Sequence, residues 1–340
     1  MKPYLQINIP IIRSTKAATA ILAVVLWTGL LPAQGQIFVD SDNGFAGDGS
    51  VGEYNLNGTA INTSLIPYGS LYLPNQMTAS GSYLYIVNAT GSGTIGKYTT
   101  SGATVSPSPL VSGLNNPYGV AVSGTDLFVA MDGNGGSSSG SVGAFNTVSG
   151  AAISLPTSIA GLYNPTGVAV SGNDLFVANY GNGAPGTGTI GEYMLNGTPV
   201  NASLFSGLGG PSAVAVSGSY LFVLFGSGTI GEYNVDGATV NASLVTGLNG
   251  PTAIAVSGSS LYVNERGGTD GMIIDYTLGG TAGTITSTNT IISGLYEDTG
   301  FAVESVPEPS TWMLLLGGLI ALRCLTAKHK GAPHNRIFSF

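Results

Sequence analysis

Between residues 37 and 303 the chain alternates short apolar runs with glycine-bearing turn dipeptides. One segment recurs almost letter for letter: NPYGVAVSGTDLFVA at 116–130, NPTGVAVSGNDLFVA at 164–178, GPSAVAVSGSYLFVL at 210–224 and GPTAIAVSGSSLYVN at 250–264. A looser copy, LPNQMTASGSYLYIV, occupies 73–87. Runs of this length, rich in Val, Phe and Tyr and bounded by glycine, predict β-strands joined by tight turns. Each unit reads as four strands. Gly-Val-Ala-Val is the first, a Ser-Gly turn leads to Leu-Phe-Val, and a Gly/Asn-rich loop leads to a third such as Gly188–Tyr193. An Asn-Gly or Asp-Gly turn (Asn196-Gly197, Asp236-Gly237) then opens a fourth, such as Val200–Leu204.

The prolines that anchor the copies, Pro74, Pro117, Pro165, Pro211 and Pro251, are spaced 43, 48, 46 and 40 residues apart. That is the length of a four-stranded propeller blade; a parallel β-helix repeats at about half that or less. An aromatic residue gives a second count: Tyr54, Tyr98, Phe145, Tyr193, Tyr233 and Tyr276 recur on the third strand, placed to wedge between neighbouring sheets. The aromatics give six units and the prolines five. The ends of the repeat region explain the difference. The segment 294–303 reads as a first strand with Asp298 at the proline position, and nothing like a second strand follows it. Ile37-Phe38-Val39 reads as a second strand and Gly52-Glu53-Tyr54 as a third, with no first strand before them. Joined, the two fragments make a sixth blade that closes the ring and removes exposed sheet edges. The expected fold is therefore all-β: a six-bladed β-propeller over 36–304, closed by both termini.

The repeat resembles the NHL-type and related six-bladed propellers, whose units share a Pro-x-Gly-Val-Ala-Val start and a Leu-Tyr-Val-Ala second strand. The resemblance covers 37–303. It implies an architecture and no particular activity, because such rings host many.

Charge separates the ends from the body. Lys2, Arg13 and Lys16 precede an uncharged run from Ala17 to Leu31, and Pro32-Ala33-Gln34-Gly35 offers small residues before Gln36. Residues 1–35 thus read as a helical secretory signal. Residues 36–306 hold two cations, Lys97 and Arg266, against sixteen carboxylates, a formal charge of −14. A body so acidic repels nucleic acid and anionic membrane surfaces, and suits divalent cations or neutral sugars better. The only cysteine is Cys324 and the only histidines are His329 and His334, all beyond the repeats. The body must stand on its core without disulfides, and nucleophile systems or zinc sites built on His or Cys are excluded from it.

At the other end, Pro307-Glu308-Pro309 precedes an apolar segment that includes Trp312, Leu314, Leu315, Leu316, Leu319, Ile320 and Leu322. Arg323, Lys328 and Lys330 follow it. This tripartite tail is similar to the PEP-CTERM sorting signals, with residues 305–330 as the sorting and anchor segment and 331–340 as a polar tail. The prolines hold the motif extended and reachable, the apolar stretch forms a short helix, and the basic end stays cytoplasmic. The resemblance implies recognition by an exosortase, a membrane transpeptidase, and residence in the inner membrane before processing. It also implies export to the surface or matrix of a bacterium that makes extracellular polysaccharide, with that polysaccharide a candidate partner. The apolar run ends after eleven residues at Arg323, short of the roughly 20 needed to span a bilayer unaided.

The remaining chemistry is carboxylate chemistry. Loops on one rim should bring together Asp40 and Asp42, Glu265 and Asp270, and Glu297 and Asp298, with Arg266 as the one offsetting charge. Like-charge crowding there suggests a Ca²⁺ site at the seam where the termini meet, set against a plainly solvated acidic rim. No other cofactor is expected, and the Asp40–Gly44 stretch lacks the glycine position and terminal glutamate of an EF-hand loop. Glu53, Glu192, Glu232 and Asp275, beside the third-strand aromatics, are expected to face outward as a structural repeat. The functional expectation is a non-enzymatic surface or matrix protein. The alternative is a metal-dependent hydrolase or lyase of the gluconolactonase type, which needs metal-binding side chains at the centre of one face; the Gly-Val-Ala-Val strands offer no acid there.

Overall fold

The computed structural model of the chain describes residues 35–41, 49–89, 92–133, 138–266, 270–295 and 300–304. The expected signal helix, sorting motif, hydrophobic helix and polar tail lie outside these residues. The described residues form twenty-five strands in six antiparallel sheets, the blades of a β-propeller. Blade 4 shows the common plan. Pro165–Ser171, Asp174–Asn179, Gly188–Met194 and Pro199–Leu208 pair in chain order from the axis outward. The turn between its first two strands uses Gly172 at φ +59°, and Gly197 at φ +85° turns the third strand into the fourth. Blades 2, 5 and 6 begin at Pro74, Pro211 and Pro251 and follow the same order. In blade 3, which begins at Pro117, the outer strand is split. Ala152–Ile153 and Ile159–Leu162 both pair with Gly140–Asn146. Pro156 lies between them and has no N–H for the ladder.

Blade 1 is made from both ends of the repeat region. Phe301–Glu304 pairs antiparallel with Gln36–Ser41, and Gly49–Asn55 and Ala60–Leu71 complete the sheet. The register runs Gln36 with Glu304, Ile37 with Val303, Phe38 with Ala302 and Val39 with Phe301. The expectation of a ring closed by joining the termini therefore holds.

The core lies between blades. Six apolar clusters each draw on two adjacent blades. The third-strand aromatic of one blade packs into the cluster it shares with the blade before: Tyr98 meets blade 1, Tyr193 meets blade 3, and the Tyr233 ring lies 4.7 Å from Phe205 of blade 4. Phe38, Phe128, Phe176 and Phe222 occupy the same place on their second strands and are at most 2 % exposed. Burying each contributes about 1.5–3 kcal/mol.

Two glycine positions explain motifs that composition alone leaves as loop-like. The aromatic ring folds back over the glycine two residues earlier, so a Cβ on Gly191 would fall 2.7 Å from the Tyr193 ring, and one on Gly231 2.6 Å from Tyr233. The first glycine of a third strand meets the proline of the next blade, and a Cβ on Gly93 or Gly188 would come 2.3 or 2.4 Å from the Cδ of Pro117 or Pro211. The residue before each anchoring proline is left-handed: Asn116 at φ +48°, Asn164 at +50°, Gly210 at +72° and Gly250 at +61°. Asn and Gly tolerate that region, which accounts for Asn-Pro and Gly-Pro at these joints. Leu73, at φ +42°, takes the same conformation without such tolerance.

Candidate functional site: the axial channel and the closing seam

The first strands face a cavity of about 230 Å³ on the propeller axis. Val120, Val168, Val214, Ile254 and Phe301 are typical of its lining, and among the described residues none that lines it is ionisable. Its most polar side chain is Gln76. That residue stands in the repeat where the other blades carry Gly119, Gly167, Ala213, Ala253 and Gly300. Those small residues are dictated by close backbone approach: a Cβ on Gly119 would come 2.8 Å from the Cα of Gly167, and one on Gly300 2.1 Å from the carbonyl oxygen of Asn75. From blade 2 the Gln76 amide Nε2 reaches past blade 1 and donates to the Thr252 carbonyl of blade 6, at 3.4 Å. Among the described residues, the side chains that line this tube are apolar apart from Thr78 and the Gln76 amide.

Of the six carboxylates expected at the seam, Asp42, Glu297 and Asp298 lie outside the described residues. The other three are engaged differently from one another. Asp40 is fully buried, and its Oδ1 accepts the Gly300 N–H at 2.9 Å while its own N–H donates to the Gly300 carbonyl at 3.1 Å. Glu265 is buried and its Oε2 accepts the Asn249 N–H at 3.2 Å. Asp270 is exposed. Among the described residues no three or more acids, histidines or cysteines are grouped to hold a metal ion. Beside the seam, Asn264 is completely buried, and neither its Oδ1 nor its Nδ2 meets a hydrogen-bond partner.

The third-strand acids correct the expectation of an outward-facing repeat. Glu53 and Glu232 are only 8 % and 4 % exposed, while Glu192 and Asp275 are half-buried. The Glu232 Oε2 accepts the Gly283 N–H of the next blade at 2.8 Å, and the Gln36 amide donates to Glu53. Glu232 thus points into the joint with the next blade, because the blade-to-blade contact covers the face that would be solvated in an isolated sheet. Burial raises the carboxyl pKa of Glu53, Glu192 and Glu232 above the usual glutamate value of 4.5. Asp174 adds to the effect at Glu192, and the Gly283 N–H opposes it at Glu232. Glu304 is raised in the same way, by burial and then by Glu53.

A raised carboxyl means that the folded chain holds its proton more tightly than the unfolded one. The associated stability is present below pH 4.5 and lost as pH climbs through the folded values. The melting temperature of wild type should therefore exceed that of a Glu192→Gln/Glu232→Gln variant by less at pH 7 than at pH 4.5. Two parallel pH profiles would contradict this.

One further residue stood out in the sequence only as one of two cations in the body. Lys97 occupies the third-strand place where other blades carry Glu53, Glu192, Glu232 or Asp275, and it is 6 % exposed. Its Nζ donates to the Thr147 carbonyl of blade 3 at 2.8 Å and lies 4.0 Å from the centre of the Tyr83 ring. Burial lowers its pKa from the usual 10.5. The signal in the sequence was a single change of sign within a repeated position.

Comparison with known proteins places these features. Residues 305–325 match the PEP-CTERM protein-sorting motif. No curated protein matches the sequence. Among solved structures, one chain of a nidogen/laminin complex superposes with a TM-score of 0.59 at 14 % identity, covering 80 % of this chain and 100 % of that one. The periplasmic gluconolactonase of Pseudomonas aeruginosa gives 0.53 at 15 % identity, covering 81 % and 100 %. A candidate 6-phosphogluconolactonase from Bacteroides uniformis gives 0.52 at 17 %, covering 77 % and 83 %. At such identities the likeness is one of fold, and the chain is a six-bladed propeller that carries a PEP-CTERM sorting motif.

Proposed function

We propose that this chain is an exported, non-enzymatic propeller of the cell surface or extracellular matrix, delivered there through its tail by an exosortase-type enzyme. The sorting motif at 305–325 carries the reading. In this account the Pro307-Glu308-Pro309 motif is the recognition element. The apolar segment holds the chain in the inner membrane until it is processed, and extracellular polysaccharide is the partner class. The acidic body favours neutral glycans over anionic surfaces.

The second reading is a gluconolactonase-type hydrolase, and its support is the likeness in fold to the Pseudomonas aeruginosa enzyme. The ring axis weighs against it. A lactonase of this shape needs metal-holding or proton-moving side chains at the centre of one face, and the lining here is Val, Ala, Ile, Met, Phe, one Thr and one Gln. The test of the leading reading uses the full chain with a C-terminal epitope, produced in a host that has an exosortase and in the same host without it. Loss of the epitope from the mature protein is expected only when the exosortase is present. Replacing Pro307, Glu308 and Pro309 together by alanine should block that loss almost completely. Identical retention of the epitope in all three cultures would defeat the proposal.

A further inference from the structure

Lys97 fills the joint between blades 2 and 3, and the joint between blades 5 and 6 repeats its walls without a lysine. In blade 2, Tyr83 and Tyr85 stand opposite Thr99 and Lys97. In blade 5, Tyr220 and Phe222 stand opposite Asn234 and Glu232 in the same register. The following blade matches as well: the Thr147 N–H donates to the Thr125 carbonyl at 2.8 Å, and the Leu278 N–H donates to the Ser259 carbonyl at 2.7 Å. Leu278 thus holds the place of Thr147, whose carbonyl accepts the Lys97 ammonium. No other blade carries a tyrosine at the start of its second strand; the equivalents are Gln36, Asp126, Asp174 and Ser260.

What differs is the space. Between blades 5 and 6 there is a cavity of about 260 Å³, walled among others by Tyr220, Phe222, Glu232, Ser259, Leu278 and Gly279. The hairpin that rims it, Leu278-Gly279-Gly280-Thr281-Ala282-Gly283, brings few side chains to close it. Glu232 is 4 % exposed and is fixed from behind by the Gly283 N–H, whose own carbonyl accepts the Asn241 amide at 3.0 Å. We propose that this cleft binds a primary ammonium group of a small ligand, held by the Glu232 carboxylate and the Tyr220 ring, where the chain's own Lys97 between blades 2 and 3 is held by the Thr147 carbonyl and the Tyr83 ring. An aromatic face attracts a cation, and a desolvated carboxylate pairs with one strongly. Burial raises the Glu232 pKa, opposed by the Gly283 N–H.

An alkylamine and an amino sugar present the same group, so the titration uses both. The full chain is titrated calorimetrically with n-butylammonium and with glucosamine at matched pH and chloride, against n-butanol and N-acetylglucosamine as uncharged counterparts. One saturable site is expected for at least one of the amines and none for the uncharged compounds. Which amine binds identifies the body the cleft prefers. Glu232→Gln keeps an acceptor for the Gly283 N–H and should weaken binding about tenfold or more. Glu232→Lys should abolish binding by supplying the occupant, with the melting temperature kept as the check on folding. Tyr220→Leu, away from the core, should weaken binding without affecting the fold. The proposal is overturned if neither amine saturates, if an uncharged counterpart binds as well as its amine, or if Glu232→Lys binds like wild type.

Discussion

Replacing Asp40 by alanine should lower the unfolding free energy by about 3 kcal/mol, measured by urea unfolding of the full chain. A charge-assisted bond contributes about 1.5–3 kcal/mol, and removing the acceptor leaves a buried N–H without a partner. The geometry explains why so much rests on one side chain. In the other blades a Ser-Gly or equivalent turn joins the first strand to the second and fixes their register, as between Ser171 and Asp174. Blade 1 has no such turn, because its first strand is Phe301–Glu304 and its second is Gln36–Ser41. Asp40 replaces the missing covalent link with a two-way grip on the backbone of Gly300. The equivalent positions elsewhere are Val87, Ala130, Ala178, Leu224 and Asn264, and those in blades 2 to 5 need no polar group. Asp40→Asn retains an acceptor and should lose about half as much. A loss below about 0.5 kcal/mol in Asp40→Ala would show that strand pairing alone holds the ring. The calcium proposal for the seam is tested in the same experiment. A rise in the wild-type midpoint with Ca²⁺ that is absent from Asp40→Ala supports a metal there, and equal midpoints with and without Ca²⁺ dismiss it.

Gly150→Ala should be at least as damaging, at about 3 kcal/mol or more, while Gly237→Ala should cost about 1 kcal/mol. Both glycines end the third-strand hairpin at positive φ, +69° and +95°. The left-handed backbone penalises alanine at either by about 1–2 kcal/mol. Their surroundings set them apart. A Cβ on Gly150 would lie 1.8 Å from the carbonyl oxygen of Leu110 in the preceding blade, and backbone there cannot yield without moving the sheet. A Cβ on Gly237 would meet only Leu204, its side-chain end at 3.4 Å and its carbonyl oxygen at 3.9 Å, both ordinary contacts. Gly58 and Gly197 make the same close approach as Gly150, to Ile291 and Thr157. Thermal unfolding of the two variants side by side decides the matter. Equal losses would mean that only the dihedral matters and that the blades adjust freely to a new methyl group.

Much of the ring was legible in the sequence. The spaced prolines, the third-strand aromatics and the two half-blades at the ends gave blade number, strand order and closure, because strand period and turn chemistry are local properties. The tail motif was equally plain, since an extended Pro-Glu-Pro segment before an apolar run is written in consecutive residues. The repeat also hid things. Glu53, Glu192 and Glu232 read as outward-facing because alternation says which face of a strand a residue takes but not what covers that face.

The amino-acid sequence by itself therefore determined the repeat, the six blades, the acidic body and the sorting tail. Tertiary structure alone decided what lies at the joints: the buried grip of Asp40 on Gly300, Gln76 reaching across the axis, Lys97 in one joint and Glu232 in its open counterpart. The physical reason is sequence distance. Asp40 and Gly300 are 260 residues apart and Gln76 and Thr252 are 176, and contacts of that range exist only once the ring has closed.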